Sequence, residues 1–113
     1  MLLEEARTVP PPGSGVRVMA AAAEALLLAH RGELEQAETL ARLAVTTAET
    51  RTDNIWMQTS THEDLAAVLE RADRLDEARE ELERALAIWD RKGCLPCAER
   101  IREQIAALGT TEG

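Results

Sequence analysis

The chain contains no phenylalanine and no tyrosine, and only two aromatic side chains, Trp56 and Trp89, among its 113 residues. A β-sandwich or barrel core, which draws on aromatic and β-branched residues, is therefore not expected. Cysteine is limited to Cys94 and Cys97, too few for a disulfide-framed secreted scaffold, which fits a reducing compartment. No apolar run approaches the ~20 residues needed to span a bilayer. The longest, Val18 to Ala29, is alanine-rich and interrupted by Glu24. The N-terminus also lacks the basic-then-apolar order of a signal peptide, and a cytoplasmic location is expected. Cationic surplus is missing as well. A net charge of -8 argues against nucleic acid, where phosphate neutralisation supplies most of the affinity, and against an anionic membrane surface.

What is present is alanine, leucine, glutamate and arginine, the strongest helix formers. With 45% hydrophobic and 30% charged residues, the chain reads as one globular, all-α domain. Three consecutive prolines and two glycines between Thr8 and Gly15 cannot be helical, so residues 1–15 read as an extension and linker. The helical domain is expected over 16–108, followed by a frayed, disordered tail over 109–113.

Within the domain the chain echoes itself at a shift of 41 residues: Ala25 falls on Ala66, Leu28 on Leu69, Leu34 on Leu75, Ala37 on Ala78 and Ala44 on Ala85. The coincident positions are small or apolar and lie at helical spacing, while the polar positions between them differ, as expected of two copies of one packing unit. Gly32 breaks the first copy and Asp73 the second; aspartate there either adopts a left-handed conformation at some cost or caps the following helix. The resulting map has helices over 16–31, 34–50, 54–71 (capped by Asp53 or Asn54), 75–91 and 96–108, the last opened by Pro96. The apolar stripes are Leu34, Ala37, Ala41, Ala44, Val45 and Ala48; Leu75, Ala78, Leu82, Ala85, Leu86 and Trp89; and Leu95, Ala98, Ile101, Ile105 and Leu108. On the opposite face, Arg79 with Glu83 and Glu80 with Arg84 are four apart, as on a solvated helix.

Helix pairs of this kind, with Gly32 and Leu34 leading to Ala37, Ala41 and Ala44, and Asp73 and Leu75 leading to Ala78, Leu82 and Ala85, resemble the tetratricopeptide repeat. The period is longer than the usual 34 residues and looks like the extended variety. The stretch from Ala85 to Leu108 is similar to the C-terminal repeat region of bacterial nucleotide-cyclase-like ATPases and LuxR-type STAND regulators. Glu24, Ala21, His62 and Asp73 depart from the family pattern. The resemblance implies two repeats plus a closing helix in a right-handed superhelical stack, and a non-enzymatic protein-interaction module of a regulator. It also implies a groove, lined by Met19, Ala22, Leu26 and Ala29 and by Ser60, Glu63, Ala67 and Glu70. That groove suits a peptide or helix with an apolar stripe beside a basic residue; the alternative is a solvated or self-packed face. It lacks the lysine and asparagine of a chaperone C-terminus receptor.

The first helix is apolar nearly all round, so an earlier repeat or a second copy of the chain is expected to cover it, giving a homodimer if the chain stands alone. Cys94 and Cys97 precede a helix as in a dithiol site and could supply half of a zinc site, but no strand-helix-strand pattern or nearby ligand set accompanies them. They read as incidental or disulfide-bonded, and no metal or cofactor is expected. His30 and His62 lack nucleophilic partners at suggestive spacing, and Gly13-Ser14-Gly15 lacks the lysine of a phosphate loop. Both tryptophans are expected in the core, with Trp56 partly exposed.

Overall fold

The computed structural model describes residues 14–51 and 54–112. They form α1 (Ser14–His30), α2 (Leu34–Arg51), α3 (Ile55–Arg71), α4 (Leu75–Lys92) and α5 (Leu95–Glu112), with no strand among the described residues. The expected linker over 1–15 lies outside the described residues as far as Gly13, and α1 takes in its last two residues. The tail expected from residue 109 is helical through Glu112. A lone glycine raises the energy of a helix by about 1 kcal/mol relative to alanine without breaking it, and threonine costs less than glycine.

The bounds of α3 and α4 are those of α1 and α2 shifted by 41 residues, and α5 falls where a third copy of α1 would. The turns repeat as well. Glu33 N–H donates to the Leu28 carbonyl (2.9 Å) and Gly32 N–H to that of Ala29 (3.0 Å); Arg74 N–H donates to Leu69 (2.9 Å) and Asp73 N–H to Glu70 (3.0 Å). This paired bonding closes a helix through one left-handed residue. Gly32 has φ 87° and Asp73 φ 63°, the left-handed of the two expectations for the aspartate. The same closure recurs at Gly93, with Cys94 N–H donating to Trp89 (3.2 Å). Asn54 is the N-cap of α3, its side chain accepting from Met57 N–H at 3.2 Å; Asp53 lies outside the described residues.

Successive helices pack on one another, and α1 also touches α3. The core is thin in side-chain bulk. Eleven of the twenty-one buried apolar residues among those described are alanines, including Ala25, Ala37, Ala41, Ala44, Ala48, Ala78 and Ala85. Alanine at such contacts permits close approach of the backbones, since the separation of packed helices is set by the side chains between them. Leu65, Leu69, Val68 and Ile101 supply the larger buried groups. Leu95, expected on the α5 stripe, is 72% exposed because the stripe in contact begins at Cys97 and Ala98.

Polar contacts tie the helices together. His62, buried in α3, places Nδ1 2.7 Å from Glu81 Oε1 of α4 and Nε2 3.2 Å from Glu49 Oε2 of α2. From the turn between α3 and α4, Arg74 pairs with Glu77 and with Glu38 of α2 (Nη2 to Oε2, 3.2 Å), which holds the Glu38 carboxyl below the usual carboxylate range. Arg84 approaches Glu81 at 3.9 Å rather than pairing with Glu80. At the helix ends Arg71 Nη2 donates to His30 Nδ1 at 2.8 Å.

A non-glycine residue at φ 63° is strained by about 1 kcal/mol. Asp73→Gly is therefore expected to raise the denaturation midpoint by about that energy, whereas Gly32→Ala, at the matching turn, is expected to lower it by a similar amount. Urea titrations followed by circular dichroism measure both.

Candidate functional site

The side chains that α1 does not bury against α2 fall on two further faces, because Val18, Ala22, Ala25 and Ala29, spaced four, three and four apart, take the inner one. On one flank Met19, Ala23 and Leu26 face α3. Together with Val18 and Ala22 they form one wall of a groove of about 330 Å³. The other wall is the N-terminal half of α3: Asn54, Trp56, Met57, Ser60, Thr61 and Asp64. Met19 and Trp56 are each 63% exposed, so the groove opens to solvent over apolar side chains.

Trp56 is held in place from behind. Its ring meets that of Trp89 edge-to-face, with centroids 4.8 Å apart and planes at 67°, a favoured aromatic geometry. Trp89 is buried, as expected, while Trp56 stands at the groove rim.

Asp64 is the one charged residue among those lining the groove. Burial in these apolar surroundings, reinforced by the adjacent Glu63 carboxylate, pushes its pKa up to about 6. Its neighbour is differently placed. Glu63 accepts two hydrogen bonds from Arg100 of α5 (3.0 and 3.1 Å) and one from Gln104 Nε2 (3.3 Å).

The residues expected to form one groove are thus divided. Met19, Ala22, Leu26 and Ser60 line the α1–α3 groove. Glu63, Ala67 and Glu70 line a separate recess of about 190 Å³ between α3 and α5, with Gln104 and Leu108. Ala29 is 3% exposed and belongs to the core. Trp56, Met57 and Asp64 were not among the expected groove residues. The apolar first turn of α3, Ile55-Trp56-Met57, is the sequence signal that marks Trp56 and Met57.

On the opposite flank of α1, Leu27 is 51% exposed and Leu28 half-buried, beside exposed Leu43 of α2. Cys94 and Cys97 form a disulfide with Cα atoms 5.3 Å apart at the start of α5, so the pair offers no thiolate. Among the described residues no three His, Cys, Asp or Glu side chains converge as metal ligands, and no helix is long and apolar enough to cross a membrane. No family model matches the chain, and neither a curated protein nor a solved structure matches it.

The folded-state pKa of Asp64 lies above its ordinary value of 3.8. Stability associated with this group is therefore fully present below about pH 4 and is lost as pH rises through about 6. Asp64→Asn, which removes the titration, is expected to match the parent protein in stability below pH 4 and to exceed it at pH 7. Denaturation midpoints of the two proteins across pH 3.5 to 7.5 give the difference directly.

Proposed function

We propose that the chain is a non-enzymatic protein-interaction module of tetratricopeptide type, whose α1–α3 groove receives a peptide or helix from another protein. The observation that carries this reading is an open groove walled by exposed Met19, Leu26 and Trp56, between two helices whose bounds are related by the 41-residue shift. A solvated face would not place exposed methionine, leucine and tryptophan side by side. The repeated left-handed turns and the alanine contacts support the tetratricopeptide assignment, with α5 as the closing helix of a right-handed stack. The similarity of Ala85 to Leu108 to bacterial regulators supports a place in such a protein, in the cytoplasm.

A second reading, self-association through the other flank of α1, is favoured by one comparison within the chain. Thr61, His62, Val68 and Leu69 of α3 are buried. Their counterparts 41 residues earlier, Ala20, Ala21, Leu27 and Leu28, are exposed or half-exposed. An α1 face equivalent to one that α3 buries is thus left open, and a second copy of the chain would cover it.

Selection of displayed helical peptides against the protein, with the winners re-tested on Leu26→Asp, checks the first reading. Binding is expected to weaken at least tenfold, ~1.4 kcal/mol, with the variant's helical circular dichroism retained; winners indifferent to Leu26→Asp contradict it. For the second reading, light scattering is expected to give a dimer that Leu27→Glu dissociates, and a monomer at tens of micromolar contradicts it.

A further inference from the structure

Four carboxylates lying between helices are answered by a basic partner. Glu38 meets Arg74, Glu49 and Glu81 meet His62, and Glu63 meets Arg100. Asp64 is withdrawn from water to a comparable degree, yet no cation among the described residues reaches it. It faces the groove together with the hydroxyl-bearing Ser60 and Thr61, beneath the exposed apolar side chains. A carboxylate in such surroundings is destabilised when ionised, and an incoming cation relieves this far more than it would at a fully solvated carboxylate.

We propose that Asp64 makes the groove selective for an amphipathic helix carrying a lysine or arginine within its apolar stripe, the cation docking on the carboxylate while its aliphatic stem lies against Met19, Leu26 and Trp56. This rests on the groove reading above. A helix is the fitting occupant because α1 and α3 satisfy their own backbone hydrogen bonds and offer no strand edge to an extended peptide. Only side chains can be read, and Met19, Ala23 and Leu26, at helical spacing, present a ridge for another helix to pack on. The long stems of lysine and arginine suit the site, since they cover apolar surface while the charged end finds its partner. A neutral apolar helix would fill the groove and leave Asp64 desolvated and unpaired, so it is discriminated against.

The test uses a displayed library of helical peptides with a fixed leucine stripe and one fully randomised stripe position, selected against the full chain, Asp64→Asn, Asp64→Lys and Leu26→Asp. The parent protein is expected to enrich lysine and arginine at least tenfold over leucine and methionine. Asp64→Asn is expected to abolish that preference and Asp64→Lys to turn it toward glutamate and aspartate. Enrichment on the parent protein without a basic preference overturns the role of Asp64 and leaves the groove reading standing. Enrichment no greater than on Leu26→Asp overturns both. A parent dimer that Asp64→Asn dissociates assigns the groove to a second copy of the chain and likewise overturns the proposal.

Discussion

Close approach of helices over alanine is the constraint on which the rest of this structure depends. Without phenylalanine or tyrosine, the chain has few bulky groups with which to fill space between helices. It places Ala37, Ala41, Ala44 and Ala48 on α2, and Ala78 and Ala85 on α4, where the neighbouring backbones meet. Alanine loses no side-chain entropy in a helix and permits short interaxial distances. A run of alanines is also nearly smooth, with little to stop one helix sliding on the next. Register is supplied by the polar contacts instead: His62 between Glu49 and Glu81, Arg74 on Glu38, and Arg100 on Glu63. Each spans two elements, and at the buried pair of His62 and Glu81 removal of either partner would leave a desolvated group unanswered.

The same economy of side chains shapes α1. A helix whose inner face is Val18, Ala22, Ala25 and Ala29 turns short side chains toward α2, and its larger ones, Met19, Leu26, Leu27 and Leu28, remain on the flanks. One flank and α3 together form the groove; the other is the open counterpart of a face that α3 buries. The proposed interaction with other polypeptides rests on this arrangement, in which α1 alone carries exposed Met19, Leu26 and Leu27 and faces exposed Trp56 of α3 across the groove. Asp64 gives that surface a polar point of discrimination, and Trp56, backed by Trp89, gives it a fixed aromatic rim.

Much of the fold was legible in the amino-acid order. The periodic alanine and leucine positions placed all five helices within a few residues, and the 41-residue echo recovered the shift that relates the helix bounds. Asp73 could be read as left-handed because it stands where Gly32 stands in the first copy. The ends were harder: nothing local distinguishes a frayed Gly109-Thr110 from one more turn of helix. The groove was half legible. Which flank of a helix faces solvent depends on rotation about its axis, and a shift of one residue turns a side chain by about 100°. Hence Ala29 lies in the core, and Glu63, adjacent in sequence to Asp64, is committed to Arg100 while Asp64 faces the groove. The contacts of His62 span 13 and 19 residues and carry no spacing signature.

Equilibrium denaturation of Ala37→Leu and Ala78→Leu tests the alanine constraint most directly, since the two positions are equivalent under the 41-residue shift and both are 0% exposed. The account requires each to lose roughly 1–3 kcal/mol or more, by similar amounts, because added methylenes must force the helices apart. If either site accepted leucine without loss, close approach over alanine would not be what organises the helices, and the equivalence of the two pairs would fail with it.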